Sequence, residues 1–254
     1  MPTDIIFGCV ASTSPNDADA FAFTFVQPVA ARQWYNDRTL QDRDAMQREG
    51  PMPEFVTSEA QLEAIYGQPA GPAVIKEIDH ISEHYRRFIE ASPFVVLATS
   101  GPEGLDCTPR GDPPSFVRVV DERTVMLPDR RGNNRIDSLR NIVRDPRIAL
   151  LFLIPGVGRT LRLNGRAAIS VDPALCESFT MEGKAPRSVI VVTADSVYTQ
   201  CPKALVRSRL WDASRHVDES SLPSSGTIMK ALQQGFDGDA YDRNYPQRLR
   251  ETIY

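Results

Sequence analysis

A series of strand-like segments separated by short turns is the feature that most constrains how this chain can fold. After Pro93 the sequence leaves helical periodicity and enters FVVLATS, a near-continuous run of β-forming residues followed by the turn GPEG. The segments of similar character that follow are LDCTPRGD, SFVRVVD, VMLP, RIALLFLIPG, TLRLNGRAAIS and SVIVVTADSVYTQC. In the first part of the series, turns recur about every 8 to 12 residues, as in an antiparallel meander. The pattern predicts a mainly β fold, namely a six-stranded antiparallel barrel, closed or partly closed, with peripheral helices.

Helical patterns lie on both sides of the strands. Thr57 or Ser58 can cap a helix, SEAQLEAIYG, that ends at Gly67. Residues 73–90 predict a second helix, because their apolar residues recur close to heptad spacing. Two further helical segments follow the last strand, TIMKALQQG and DAYDRNYPQRLRETIY, and Pro246 is expected to interrupt the second.

The regularity of these patterns divides the chain into three regions. Residues 1–52 mix apolar, polar and charged patches without a clear period, and we predict that they form an N-terminal extension of uncertain structure. Residues 53–215 are predicted to form the β domain with its leading helices, and residues 216–254 a C-terminal helical tail. One hypothesis is that the folded protein effectively begins near Met52.

The charge distribution of the chain favours a small anionic ligand over a polymer. The 254 residues carry a formal net charge of −4, so no overall basic field attracts nucleic acid or an anionic membrane. Basic residues instead form local clusters. No apolar run approaches the ~20 residues that span a bilayer, and the opening residues contain no cationic signal-peptide region. The four cysteines are far apart and form no CxxC pair, as is typical of reduced thiols. We therefore predict a cytoplasmic protein.

The segment 127–146, LPDRRGNNRIDSLRNIVRDP, predicts the end of a strand, a turn and a helix. Asn133 or Asn134 stands where a helix N-cap is expected, and Asp137 occupies the capping-box position relative to Asn134. The helix is expected to end at Asp145, because Pro146 disfavours helical backbone in the residue before it.

Three arginines crowd the turn in front of this helix: Arg130, Arg131 and Arg135. Free backbone N–H groups and the positive end of the helix dipole favour an anion there. Guanidinium groups add planar pairs of donors that match phosphate oxygens. The turn is therefore predicted to bind phosphate. The alternative is a solvated turn whose arginines form ion pairs with Asp129 and Asp137.

The order of the elements and four local motifs resembles the pyridoxamine 5′-phosphate oxidase-related FMN-binding split-barrel proteins, within an uncharacterised bacterial branch. The motifs are TPRGD, a DRxGNxR loop, TLRLNGRA and CPKAxxRSxLW, and the resemblance extends roughly from Val56 to Trp211. It implies a split β-barrel of the FMN-binding type. It also implies a homodimer with FMN at the subunit interface, where both chains contact each cofactor.

The resemblance further implies which residues contact FMN. Along the flavin ring it places Thr108, Pro109 and Arg110. Around the ribityl chain and phosphate it places Asp129, Arg130, Asn133, Asn134, Arg135 and Ser138. From the partner subunit it brings Lys203 and Arg207 to the cofactor, with Ser208 and Trp211 nearby, while Arg159, Thr160 and Arg162 are weaker candidates. Arg110 and Lys203 are the donors best suited to stabilise negative charge on the reduced ring, and no side chain stands out as an acid or base.

The activity implied by the resemblance is that of an FMN-dependent oxidoreductase that exchanges hydride with a small substrate. Pyridoxamine phosphate oxidases carry a basic RxVLLK-type strand, whereas DPPSFVRVVD in this chain offers only Arg118, which argues against pyridoxamine phosphate as the substrate. A protein that binds flavin or haem without turnover is an alternative. A deazaflavin could also take the place of FMN.

Three other motifs suggest different functions. His80, Glu83 and His84 match the HxxEH pattern of inverted zinc proteases on a predicted helix, but no third ligand is evident, and helix-surface histidines explain the pattern. Cys201 and Cys107 could be thiol nucleophiles, yet no histidine lies in either motif, so we interpret them as small buried residues. The arginines between 130 and 147 could bind nucleic acid, which the neighbouring aspartates and the acidic net charge disfavour.

Overall fold

The computed structural model describes residues 55–254, and the chain divides into two compact units after Tyr66. The predicted N-terminal extension, residues 1–52, lies outside the described residues. The described part of the first unit contains helix α1, Glu59–Tyr66. The hydroxyl of Ser58 accepts a hydrogen bond from the backbone N–H of Gln61 at 3.3 Å, which confirms the predicted cap. The domain boundaries at residues 52 and 215 stay predictions.

In the second unit, the single helix expected over residues 73–90 is replaced by two short ones, α2 (Gly71–Ile75) and α3 (Glu83–Ala91). Between them, Ile78 pairs with Val197 through two backbone hydrogen bonds of 3.1 and 2.8 Å. This pairing uses backbone groups that a continuous helix would need for its own ladder. Ser82 then caps α3 by accepting a hydrogen bond from Tyr85 N–H. Parts of the segment are helical as predicted, but the pairing of Ile78 with Val197 divides the helix in two.

Within residues 55–254, seven antiparallel strands form one sheet. In chain order they are β1 (Phe94–Gly101), β2 (Gly104–Gly111), β3 (Arg118–Val119), β4 (Thr124–Asp129), β5 (Arg147–Leu153), β6 (Thr160–Ser170) and β7 (Ser188–Gln200). Across the sheet their order is β2-β1-β5-β6-β7-β4-β3. Strands far apart in sequence therefore lie side by side, as where β4 pairs with β7 and Asp129 stands opposite Ser188.

The mainly β, antiparallel architecture with peripheral helices is confirmed, but the strand count and the closure differ from the expected six-stranded barrel. The seventh strand is the two-residue β3, which pairs only with β4. Among the described residues, β2 and β3 are the two ends of the ladder, and no strand pairing closes it. Ser115, just before β3, has a φ angle of 70°, so an extended strand cannot continue back through it.

The remaining helices surround the sheet. They are α4 (Asp137–Arg144), α5 (Pro173–Ser178), α6 (Lys203–Ser208), α7 (Ser225–Leu232) and α8 (Gly238–Thr252), with 3₁₀ turns at Ala213–Arg215 and Glu219–Ser221. Pro246 lies inside α8 without interrupting it, contrary to expectation. A proline removes one backbone hydrogen bond, and α8 continues to Thr252 despite that loss. Within residues 55–254, we find no helix with both the length and the apolar character needed to cross a membrane.

The hydrophobic core is built from the alternating residues of the central strands. Val95, Leu97 and Thr99 of β1, like Ile148, Leu150 and Phe152 of β5, are at most 6% exposed. Ile89 of α3 and Ile142 of α4 join the same cluster. Burial of each such large aliphatic side chain contributes about 1.5–3 kcal/mol. The core therefore holds α4, and with it the turn in front of α4, against β1.

The C-terminal end of α4 provides a pH-dependent contribution to stability. The Asp145 carboxylate accepts hydrogen bonds from the Arg147 guanidinium at 2.6 Å and from the Arg147 backbone N–H at 3.1 Å, and these lower the pKa of Asp145 to about 2. A carboxyl group with a depressed pKa stabilises the fold fully above its unfolded pKa, ~3.9, and loses that effect as the pH falls towards 2. We expect Asp145→Asn to be less stable than the wild type at pH 7. This deficit should shrink below about pH 4 in urea unfolding, and a deficit that does not change with pH would contradict the ion pair.

Candidate functional site

A cavity of about 990 Å³ lies beside the edge strand β2. Its volume is at the upper end of the ~300–1,000 Å³ typical of ligand pockets. Its wall consists of β2, the end of β4, the turn between β4 and α4, the first turn of α4, residues 184–188 and residues 253–254. The two motifs expected to contact a cofactor, TPRGD and DRxGNxR, therefore line the same cavity.

Side chains of β2 point alternately to its two faces, and only one of these faces is sheltered from solvent. Asp106, Thr108 and Arg110 are half-buried, whereas Cys107 and Pro109 between them are exposed. Pro109 is tolerated because β2 is an edge strand with β1 as its partner, so a missing N–H can be accommodated. Gly111 follows, where a Cβ atom would lie 3.2 Å from the carbonyl oxygen of Pro93. The motif thus combines an edge-strand proline with a close backbone approach.

Arg110 and Asp129, which both line the cavity, form a sheltered ion pair. The Arg110 Nη1 donates to the Asp129 Oδ1 at 2.6 Å, and the two side chains are 21% and 17% exposed. The Arg110 Nε is buried and has no hydrogen-bond acceptor within the described part of the chain. An unsatisfied buried donor costs about 1–3 kcal/mol, so an acceptor on a bound ligand would recover that energy.

Arg130 already has its partners within the protein. Its Nε donates to Asp112 Oδ2 at 2.6 Å, and its Nη1 donates to the carbonyl oxygen of Phe179 at 2.7 Å. The Tyr254 hydroxyl donates to the other oxygen of Asp112 at 2.9 Å, and the Arg130 guanidinium lies 5.5 Å from the Tyr254 ring. The hydrogen bond to Asp112 raises the pKa of Tyr254, with burial adding to the shift. Arg130 therefore ties β4, α5 and residue 254 together at one side of the cavity.

The turn between β4 and α4 differs from the predicted capping box. Helix α4 begins at Asp137, and its N-cap residue is Ile136, which makes no side-chain cap. The Asn133 Oδ1 instead accepts from the backbone N–H of Arg135 at 3.0 Å, and the Asp137 carboxylate accepts from the Arg135 Nε at 2.8 Å. These local bonds occupy the groups that a capping box would use.

The same turn contains backbone strain. Asn134 and Ile136 have φ angles of 60° and 54°. Asparagine tolerates this left-handed region, but a β-branched residue such as isoleucine rarely adopts it. Strained residues of this kind cluster at functional sites. The expectation of a turn directly before a helix N-terminus is confirmed, although its hydrogen bonding was predicted incorrectly.

Two polar contacts attach α4 to the strands. The Ser138 hydroxyl donates to the Asp106 carboxylate of β2 at 2.5 Å. On the buried side of the helix, Asn141 donates to the Thr99 hydroxyl at 3.1 Å. The approach is close enough that a Cβ on Gly101 would lie 2.1 Å from the Asn141 side-chain oxygen. The position of the turn relative to β2 is therefore determined by α4.

The structure brings together the residues that were predicted to surround the cofactor within one chain. Those that line the cavity are Thr108, Pro109, Arg110, Asp129, Arg130, Asn133, Asn134, Arg135 and Ser138. The weaker candidates Arg159, Thr160 and Arg162 do not line it. Arg162 instead donates to the Tyr198 hydroxyl at 2.8 Å, and Arg159 lies 5.4 Å from the Phe88 ring.

The residues expected to come from a partner subunit lie outside this cavity, in or after α6. They are Lys203, Arg207, Ser208 and Trp211, and all are exposed. The Trp211 Nε1 donates to the carbonyl oxygen of Val157 at 3.0 Å, and the Ser208 hydroxyl donates to that of Leu205 at 3.2 Å. Their role depends on a second chain and stays a prediction.

Sequence reasoning missed several residues that line the cavity: Asp106, Asp112, Lys184, Arg187, Ile253 and Tyr254. Residues 184–188 come to the cavity because β7 pairs with β4, a pairing that no local signal indicates. Residues 253 and 254 come to it through the packing of the C-terminal helices. The cations in GKAPR were visible in the sequence, but no turn or helix signal connected them with the arginine-rich turn.

The competing motifs are placed differently from expectation. His80 precedes α3, which begins at Glu83, so His80 and His84 are not one turn apart on the same helix. The His80 Nδ1 lies 3.0 Å from an Asp79 carboxylate oxygen. A search of residues 55–254 finds no group of three or more metal-binding side chains. Cys107 and Cys201 are exposed, so their interpretation as buried residues was wrong. Cys107 lies on the edge strand β2, and Cys201 follows the end of β7.

Comparison with known proteins relates the middle of the chain to one family. Residues 81–201 match a protein-family model described as pyridoxamine 5′-phosphate oxidase. Among solved structures, HupZ of group A Streptococcus is 17% identical, with a TM-score of 0.40 over 48% of this chain and 94% of HupZ. A Clostridium acetobutylicum protein related to general stress protein 26, of the pyridoxinephosphate oxidase family, is 18% identical, with a TM-score of 0.38 over 46% of this chain and 86% of its own. An F420 reductase is 18% identical, with a TM-score of 0.35 over 47% of this chain and 98% of its own. No curated protein matches the sequence.

Proposed function

We propose that the protein binds FMN in the cavity beside β2 and acts as an oxidoreductase on a small substrate. The match of residues 81–201 to the family model described as pyridoxamine 5′-phosphate oxidase supports this proposal. The observation that carries the proposal is the buried Nε–H of Arg110. This donor has no acceptor among residues 55–254, although Arg110 lines the cavity. A ligand with acceptor atoms along β2 would satisfy it.

The residues of β2 fit the ring of a flavin. A reduced flavin ring needs hydrogen-bond donors and positive charge near its N1/O2 edge, and Arg110 has both. The ion pair with Asp129 holds one end of the guanidinium and leaves Nε–H free. Thr108 adds a hydroxyl on the same face of the strand. Bound FMN would supply the redox step, while these residues orient the ring and balance its charge.

The turn and the start of α4 fit the polar tail of the cofactor. The residues that we propose for contact with the ribityl chain and phosphate are Asp129, Asn133, Asn134 and Ser138, while Arg130 and Arg135 line the same end of the cavity in ion pairs of their own. The side chains of Asn133 and Asn134 offer both donors and acceptors. The N-terminus of α4 adds backbone N–H groups that favour an anion. Together they match a chain of hydroxyl groups that ends in a phosphate.

The exposed surface of α6 supports the proposal of a homodimer. Val206, Leu210 and Trp211 are 65%, 45% and 36% exposed, and Lys203 and Arg207 lie on the same short helix. Neighbouring apolar side chains that face water favour contact with a protein partner. We propose that this surface packs on a second copy of the chain and brings Lys203 and Arg207, with Ser208 and Trp211, to the partner's cofactor. The sheet would then form the split barrel of an FMN-binding dimer.

The substrate is proposed to differ from pyridoxamine phosphate. Arg118, the cation of the strand that would grip a substrate phosphate, is already engaged elsewhere. It donates to the Ser178 hydroxyl at 2.9 Å, and its guanidinium lies 3.7 Å from the Phe179 ring. Releasing it would cost both contacts. We therefore propose a small substrate that does not need Arg118.

Titration of the purified full-length protein with FMN tests this function. We expect quenching of flavin fluorescence with a Kd of about 1 µM or lower, together with a shifted flavin absorbance spectrum. Sedimentation of the same sample should give the mass of two chains. Titrations with riboflavin and a deazaflavin will show which flavin is preferred. No binding of any flavin at about 100 µM would overturn the proposal.

A further inference from the structure

The charged side chains that line the cavity are unequally paired. Three of its four carboxylates are in ion pairs, Asp129 with Arg110, Asp112 with Arg130 and Asp137 with Arg135, while Asp106 accepts a hydrogen bond from the neutral Ser138 hydroxyl. The three remaining cations are Arg131, Lys184 and Arg187. Within the described residues, none of these three has a carboxylate at ion-pair distance. The cavity therefore has an excess of unpaired positive charge.

These unpaired cations come from two segments that lie side by side. The pairing of Asp129 with Ser188 places residues 184–188 next to the turn that follows β4. Across this boundary, the Arg187 Nη1 is 3.5 Å from the Asn134 side-chain oxygen. Pro186 between Lys184 and Arg187 is buried, which anchors the segment to the protein. The exposed cationic groups of Lys184 and Arg187 therefore extend from a backbone that is anchored to the protein.

We propose that Arg131, Lys184 and Arg187 bind the phosphate of the cavity's ligand, whereas Arg130 and Arg135 mainly maintain the shape of the site. This inference rests on the proposed function, since the phosphate is that of FMN. For Arg130 to bind phosphate, it would have to leave Asp112 and the Phe179 carbonyl, and that exchange returns little energy. Unpaired cations bind without such a loss. Guanidinium groups supply paired donors, and Lys184 adds a compact charge.

The test compares two variants that remove positive charge from the same cavity. Lys184→Ala/Arg187→Ala removes two unpaired cations, and Arg135→Ala removes one that Asp137 already neutralises. FMN and riboflavin, which differ by the phosphate, are the probes. We expect FMN affinity to fall about tenfold for each unpaired cation removed, or about a hundredfold for the double variant. For Arg135→Ala it should change less than about threefold. Riboflavin affinity should be the same in all three proteins.

Other results would overturn the assignment. Equal or larger loss of FMN affinity in Arg135→Ala would return the phosphate to the DRxGNxR motif. Parallel losses of FMN and riboflavin affinity in the double variant would show that Lys184 and Arg187 do not recognise the phosphate. Wild-type protein that binds neither flavin would overturn the proposed function and this assignment together. The side chains that these variants change, those of Arg135, Lys184 and Arg187, are exposed. Thermal melting should therefore confirm that both variants remain folded.

Discussion

Replacement of Arg110 by alanine is expected to weaken FMN binding about 10- to 100-fold and to lower the free energy of unfolding by about 2–3 kcal/mol. The first effect follows from losing the buried Nε–H and the positive charge beside the ring. The second follows because Asp129, only 17% exposed, would keep its charge without a partner. Flavin titration and urea unfolding of the purified variant measure the two effects separately.

Two control variants separate these effects. Arg110→Lys keeps a positive charge near Asp129 but lacks the guanidinium Nε–H, so it should retain more stability than FMN affinity. Arg110→Gln/Asp129→Asn replaces the pair with neutral amides and should recover most of the stability without recovering FMN affinity. If Arg110→Ala binds FMN as tightly as the wild type, the flavin ring does not lie along β2.

Replacement of Gly165 by alanine is expected to lower the free energy of unfolding by at least about 3 kcal/mol. Gly165 lies in β6, at an irregularity in its pairing with β7. A Cβ atom there would lie 2.1 Å from the carbonyl oxygen of Thr193 and 3.2 Å from the Ala194 Cα. These are backbone atoms, so no side-chain rotation can relieve the clash, and the two strands must separate locally.

Gly132→Ala is the matched control for this substitution. A Cβ at Gly132 meets no atom within 4 Å, and the residue is not in the left-handed region. We expect its free energy of unfolding to remain within about 0.5 kcal/mol of the wild type. Urea unfolding at 25 °C gives both values. Equal stability of the two variants would mean that β6 and β7 are farther apart at Gly165 than the structure has them.

The strands and the order of the motifs could be predicted because both depend on local chemistry. Runs of β-forming residues bounded by turns mark strands, and β1 and β5 lie where such runs were found. The TPRGD and DRxGNxR motifs were assigned to one site through the family resemblance, and their residues do line one cavity. The short-range part of the candidate site was therefore accessible before the fold was known.

Two of the predictions failed because the predicted local hydrogen bonds compete with other partners. Residues 73–90 have helical periodicity, yet Ile78 pairs with Val197 of β7 and divides the helix. Asn134 and Asp137 have capping-box spacing, yet Arg135 takes the Asp137 carboxylate. In each case another partner supplies a hydrogen bond at least as good as the one that the pattern requires, and single-sequence reasoning cannot weigh the two.

By itself, the sequence determined where most of the strands lie and that several arginines precede a helix N-terminus. Only the tertiary structure decided which of those cations are free. Arg130 and Arg131 are neighbours in the chain, but the fold pairs the first with Asp112 and gives the second no carboxylate partner among residues 55–254. The pairing of β4 with β7 then brings Lys184 and Arg187 to the same cavity. The reason is physical: periodicity and turn chemistry act between near neighbours, whereas the partner of a charged side chain is selected by packing between segments far apart in the sequence.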